Sequence, residues 1–249
     1  MISRKRPRNN VKIFFDTEFT GLRKDTDLIS IGLVSSEGQE FYAEFDDYKD
    51  KYVDDWIYNN VINNLMYRDN YPFKARTLVD GSNNHFFKST EEIESADKDK
   101  GFNIHMKGNK IEVSEGLNEW LHQFTDKNLY IEFISDVCHY DMVLLIDLII
   151  AYGNGSTALD MDEHYSSACY DLNNDIAIFL STNARKAFDV NRESLLRKLV
   201  TSQPEGSKRK EAKYLLYDCD VSNKHNSLYD AKVIRELYLA LHRTNKFFS

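Results

Sequence analysis

The chain is poor in the residues that punctuate or staple a fold, with 3 prolines, 10 glycines and 3 cysteines in 249 residues. So little proline and glycine excludes collagen-like repeats and Pro/Gly-rich disordered sequence. Cys138, Cys169 and Cys219 are odd in number and far apart, which suits free thiols in a reducing compartment and excludes a disulfide framework. The expected location is the cytoplasm. No Cys/His pattern has zinc-ligand spacing. Long apolar runs are also missing: the most apolar stretch, Met142 to Ala151, is half of the roughly 20 residues that span a bilayer, and it contains Asp147. Neither a transmembrane helix nor a membrane partner is expected.

Positive charge is in short supply. A net charge of −8 and a pI near 5.4 repel nucleic acid in bulk, which counts against a high-affinity, non-specific binding module. The same balance is compatible with an enzyme whose carboxylates gather around metal ions, because the cations invert the local field. What the chain has is enough apolar sequence for a core of its own. Hydrophobic residues are 42%, and a chain of this length buries roughly 70 to 75% of its unfolded surface. Residues 1–10 (MISRKRPRNN) are basic without an apolar segment, which reads as a solvated tail rather than a secretory signal. Residues 11–249 are expected to form a single domain.

Val11 to Phe15, Leu28 to Ser35 and Glu40 to Phe45 read as strands, the last two joined by a turn at Glu37-Gly38, and three such strands in a row suggest a meander. Asp54 to Met66 has an acidic start, and either Trp56 or Ile57 falls in helical register with Val61 and Leu65. From about 67 to 110 the periodicity is lost, and the stretch is expected to be an irregular insertion with one hairpin around Lys107-Gly108-Asn109. An α/β pattern then returns. Ser114 is expected to cap a helix over Glu115 to Phe124, Leu129 to Ser135 to be a strand, and Tyr140 to Tyr152 to be an apolar helix. Further helices are expected at Asn174 to Leu180, Arg192 to Val200, about Lys208 to Leu216, and Ser227 to His242.

Three short segments carry chemistry. Asp16 and Glu18 end the first strand and, at a period of two, point to one side, where a divalent ion can sit. Asp141 falls in the first turn of the apolar helix after Asp136-Val137-Cys138-His139-Tyr140. Helix capping and the helix dipole favour an acid there too. His225 lies just ahead of the last helix and Asp230 lies inside its early turns. Four carboxylates suit hard, oxygen-preferring ions, and a neutral imidazole suits proton transfer near pH 7. Thr20, Gly21 and Leu22 follow as the strand leaves the sheet, where small and apolar residues let a base approach the backbone, and Phe19 offers a stacking surface. Ser207 to Lys210 is a weaker candidate for a phosphate contact. The other histidines and the acidic run Asp160 to His164 read as ordinary surface or core residues.

F-D-T-E-F-T-G-L, the Y-D before the apolar helix, and H-N-S-L-Y-D-A resemble the three motifs of the DEDDh, or DnaQ-like, 3′–5′ exonucleases, over about Val11 to His242 without the insertion. V-D-D-W-I-Y-N-N-V-I-N-N-L is similar to the small bacterial and phage exoribonuclease-like branch. The resemblance implies an α/β, RNase H-like fold, a mixed central sheet flanked by helices. It implies that Asp16, Glu18, Asp141 and Asp230 hold two divalent cations, Mg²⁺ or Mn²⁺, and that His225 is the general base. Phe19, Thr20, Gly21 and Leu22 become substrate-binding residues. The second motif departs from the usual H-N-A-x-F-D, so Asp136 stands as a substitute for Asp141.

The activity so implied is 3′–5′ exonuclease action on single-stranded 3′ ends, RNA ahead of DNA, releasing nucleoside 5′-monophosphates by a two-metal mechanism. The alternatives are a catalytically silent nucleic-acid-binding module, a proofreading-type DNA exonuclease acting as a separate subunit, and an endonuclease or polynucleotidyl transferase of the same broad fold. A second copy of the chain is a further candidate partner.

Overall fold

The computed structural model describes residues 9–78, 101–153, 161, 163–201 and 224–245. The described residues form an α/β fold with a seven-stranded mixed sheet flanked by helices. Strand β1 (Asn10–Phe19) pairs antiparallel with β2 (Leu28–Ser35), and β2 pairs antiparallel with β3 (Glu40–Phe45). This is the expected meander. On the other side of β1, β6 (Tyr130–Ser135) and then β7 (Tyr165–Asp171) add in parallel.

The stretch from 67 to 110 corrects the sequence reading. Its described parts include two strands, β4 (Phe73–Leu78) and β5 (Phe102–Gly108), which pair with each other, and β5 adds in parallel to β3. The sheet order is therefore β4-β5-β3-β2-β1-β6-β7. In β5, Phe102, Ile104, Met106 and Gly108 are buried in strict alternation with Asn103, His105 and Lys107, a period of two masked by the charged run before it. Lys107-Gly108-Asn109 is not a hairpin: Gly108 ends β5, and Asn109 caps helix α2 (Lys110–Thr125). Asn109 accepts from the Ile111 and Glu112 amides, and Glu112 reaches back to the Asn109 amide, so the helix starts five residues before the expected position. Ser114 is an internal residue, its hydroxyl donating to the Leu148 carbonyl.

The expected helix at 54–66 is shorter. Asp54 accepts from the Ile57 amide to cap α1 (Asp55–Asn60), and a 3₁₀ turn over Ile62–Asn64 follows. Ile57 is the residue in register with the core; Trp56 is 55% exposed. Helices α3 (Cys138–Ala151), α4 (Leu172–Phe179), α6 (Arg192–Thr201) and α7 (Ser227–Asn245) match expected positions to within a few residues. Strand β7 and the short helix α5 (Ala184–Phe188) were not anticipated. Residues 1–8 of the basic tail, the helix expected near 208–216, the 207–210 cluster, Cys219, and Asp160 and Asp162 of the acidic run lie outside the described residues. No helix among the described residues is long and apolar enough to cross a membrane.

Strand alternation sends β1 into two cores. Val11, Ile13 and Phe15 pack on one face with Leu117, Trp120 and Leu121 of α2 and Leu145 and Leu148 of α3. Phe14 packs on the other face with Tyr229, Val233, Ile234 and Leu237 of α7 and Leu196 and Leu199 of α6. The residues that follow in β1 inherit these sides. Asp16 and Glu18 continue the Phe14 face towards α7, and Thr17 continues the Phe15 face towards α3.

Candidate metal and active site

Helix α7 can approach the acids of β1 because Gly32 lies between them. Gly32 pairs with Asp16 across the ladder, and a Cβ there would stand 2.3 Å from the Leu228 amide nitrogen and 2.4 Å from the Ser227 carbonyl carbon. The bare backbone thus admits the first turn of α7 directly onto the sheet. Alongside, the hydroxyls of Ser30 and Ser227 share a hydrogen bond of 3.0 Å.

Ahead of that turn, Asn226 accepts from the Tyr229 amide and donates to the Tyr42 hydroxyl (3.2 Å) and the Asn64 carbonyl (3.0 Å). Tyr42 in turn donates to the buried Glu44 at 2.8 Å. So anchored, the preceding residue, His225, adopts a left-handed backbone with φ 67°, an uncommon conformation for a residue with a Cβ. Its amide donates to Asp230 at 3.1 Å, and its Nδ1 lies 3.6 Å from Glu18 Oε1. Ligand-type atoms of Glu18, His225 and Asp230 all lie within 4.8 Å of one another.

Asp16 stands beside this group with its Oδ2 buried and without a hydrogen-bond partner. Burial, reinforced by the charges of Asp141, Asp230 and Glu18, raises the Asp16 carboxyl well above the usual carboxylate range. Asp230 is raised in the same way by burial and then by Glu18. Glu18 is raised by burial against the opposing pull of His225. Such a cluster is stable in its charged form only with added positive charge.

Asp141 reaches the same strand end from α3, and its surroundings are different. Its two oxygens accept from the hydroxyls of Thr17 and Ser135, both at 2.6 Å. Burial pushes its pKa up to about 7 against the lowering effect of those hydroxyls. Asp136 forms an ion pair of 2.8 Å with Arg192 at the start of α6, and the remaining Arg192 donors go to Asn173 and to the Ala187 and Val190 carbonyls. Of the two acids weighed for the second motif, Asp141 is bonded to β1 through Thr17, whereas Asp136 is paired with Arg192, although its charge also reaches Asp16 and Asp230.

Among the four residues beyond Glu18, Phe19 stacks on Tyr140 with ring centroids 5.7 Å apart, which ties the strand end to the start of α3. Thr20 is buried, and its hydroxyl accepts from the Asp27 amide and pairs with Thr26. Gly21 has φ 121°, and Leu22 is 72% exposed. Sequence reasoning missed Trp56, whose exposed ring meets the His225 ring edge-on at 5.2 Å. The available signal was its out-of-register position in α1, where Ile57 fills the core. No family model and no curated protein sequence matches this chain.

Proposed function

We propose that the chain is a metal-dependent 3′–5′ exonuclease of RNase H-like fold. The observation that carries the reading is the convergence of Glu18, His225 and Asp230, from segments some two hundred residues apart, onto one point beside the unpartnered Asp16 oxygen. A meander continued by parallel strands on the β1 side supports the RNase H-like assignment. Oxygen-rich donors, mutual repulsion and an orphaned carboxylate oxygen all suit Mg²⁺ or Mn²⁺. Asp16, Glu18, Asp230 and, on turning from its hydroxyls, Asp141 would hold two such cations. When bound, the ions supply positive charge to a phosphodiester and acidify a water.

The chain's own groups do the rest. Glu18 faces His225 Nδ1, which orients the ring and leaves Nε2 to take a proton from the attacking water. Trp56 covers one side of that imidazole, and its exposed ring together with Leu22 offers an apolar surface for a terminal base. A terminal nucleotide placed between β1 and α7 has to be unstacked, which favours single-stranded 3′ ends. The lean towards RNA rests on the resemblance of the 53–65 segment to exoribonucleases, and the proposed cytoplasmic location rests on the three scattered cysteines.

The test is incubation of the purified chain with 5′-labelled single-stranded RNA and DNA, with Mn²⁺ or with a chelator. A metal-dependent ladder shortening from the 3′ end supports exonuclease action. Binding without cleavage in Mn²⁺ and in Mg²⁺ selects the silent binding module, and internal cuts select an endonuclease. Replacing His225 with Ala is expected to slow release by about 10²- to 10⁴-fold while Mn²⁺ still binds. An equal loss of Mn²⁺ affinity in calorimetry would reassign the imidazole as a ligand.

A further inference from the structure

The second motif contains a feature that metal binding and hydrolysis do not use. Cys138, the first residue of α3, and Cys169, on β7, have their Sγ atoms 2.8 Å apart, inside ordinary van der Waals contact of two sulfurs. Both thiols are free and half-buried. Only Cys138 lines a neighbouring cavity of about 360 Å³, which it shares with Asp136, His139, Asp171, Asn173 and Phe188. Cys169 sits behind it, in register with Phe133 of β6.

We propose that Cys138 and Cys169 are a peroxide-responsive dithiol, with Cys138 the attacking thiol and Cys169 the resolving one. Access favours this order, since a small hydroperoxide entering the cavity meets Cys138 first. The Cys169 thiol is raised, chiefly by its hydrogen bond to Cys138 and then by burial, so it retains its proton while Cys138 reacts.

In the first step the Cys138 sulfur attacks one peroxide oxygen, the O–O bond breaks, and with the thiol proton one water leaves, giving a sulfenic acid. In the second step the Cys169 sulfur attacks the Cys138 sulfur, the S–O bond breaks, and hydroxide leaves with the Cys169 proton as a second water. Two thiols lose two electrons, and the peroxide gains them. A thiol reductant reverses the change by exchange.

Closing this bond draws the first turn of α3 towards β7, on the side of β6 away from β1. Asp141 lies one turn further along α3 and is held by Thr17 of β1. If the carboxylates bind metal as proposed above, oxidation therefore weakens Mn²⁺ binding several-fold.

The experiment treats the reduced full-length chain with one equivalent of hydrogen peroxide and follows it by intact mass and peptide mapping. The expected product has lost two hydrogens, carries a Cys138–Cys169 cross-link, and returns to the dithiol with reductant. In Cys169→Ser a sulfenic acid persists on Cys138 and is trapped by a 1,3-dione, whereas in Cys138→Ser the Cys169 thiol survives the same dose. A cross-link through Cys219 instead, or Cys169 oxidised equally fast without Cys138, overturns the pairing or its order. Calorimetry with Mn²⁺ on the two redox forms separates the remaining question. Equal affinities overturn the link to the cleft, while a reduced chain that binds no Mn²⁺ counts against the carboxylate site and leaves the dithiol result standing.

Discussion

The two sides of β1 treat their acids differently. On the α7 side, Glu18, His225 and Asp230 stand together with few neutral partners, and Asp16 keeps a buried oxygen with none. Towards β6 and the start of α3 both acids have partners: Asp141 has two hydroxyls, and Asp136, whose charge also reaches Asp16 and Asp230, has an arginine whose other donors go to carbonyls and an amide. Satisfied acids stabilise the fold, whereas crowded, unpaired ones cost stability and persist where a ligand rewards them. The comparison sets Asp136, held by a guanidinium, apart from the crowded Asp16, Glu18 and Asp230, with Asp141, held by two neutral hydroxyls, between them, a distinction that residue type alone does not make.

The largest expected effect is on the α7 side. Asp16→Asn, Glu18→Gln and Asp230→Asn should each lower the cleavage rate by orders of magnitude, and Asp16→Asn should leave the metal-free protein as stable as the parent or more so, because a buried, repelled carboxylate is removed. Metal-free melting curves together with initial rates check this; a destabilised Asp16→Asn would mean that its carboxylate is a structural partner.

Asp136→Asn should give the opposite pattern. Its ion pair with Arg192 is largely buried, with side chains 14% and 13% exposed. Breaking it from one side strands the guanidinium at a cost of ~3–5 kcal/mol. Cleavage at a temperature where the variant is folded should change little. A variant that melts normally and fails to cleave would restore Asp136 as the working acid of the second motif.

Metal and pH sharpen the comparison next. Asp141 has its pKa raised from 3.8 to about 7 in the fold, and Asp16 and Asp230 are raised in the same direction. A raised carboxyl pKa means that the folded state holds the proton more tightly than the unfolded chain. The associated stability is full below the ordinary carboxylate pKa and is lost as pH rises through about 7 for Asp141. In chelator, stability should fall between pH 4 and 7.5 by an amount on the order of a few kcal/mol. Mn²⁺ should restore it most at the upper end. Thermal melts across that range with and without Mn²⁺ are the check, and a chelated protein that gains stability with rising pH would refute the crowding argument.

Much of this arrangement was legible because it is local. The period of two in β1 places Asp16 and Glu18 on one side, and the meander and most helix positions follow from apolar spacing in segments of ten residues or so. What was not legible depends on partners far along the chain. Nothing near Asp136 announces Arg192, 56 positions later, and nothing near Gly32 announces that α7 needs its missing Cβ. Strand β5 was hidden by the charges before it, and Trp56 was ambiguous until Ile57 took the core position. In the second motif, sequence narrowed the choice to two acids, and the hydroxyl and guanidinium partners distinguish them.

The smallest effects should come from the two hydroxyls that hold Asp141. Each donates at 2.6 Å, and a hydrogen bond to a charged group contributes about 1.5–3 kcal/mol. Because a carboxylate accepts more strongly than a carboxylic acid, Thr17→Val should cost most above pH 7 and little near pH 5, where Asp141 is protonated in both proteins. Ser135→Ala should cost somewhat more, since the Ser135 hydroxyl also accepts from the Val137 amide at 3.1 Å. Both hydroxyls lower the Asp141 pKa, so either loss should raise it further and move the acid limb of the pH–rate profile to higher pH. Thr17→Ser keeps a donor at the same position and should return the limb towards its parental place. If Thr17→Val shifts stability equally at pH 5 and pH 8, the hydroxyl is acting through packing alone, and Asp141 is held by something other than these two donors.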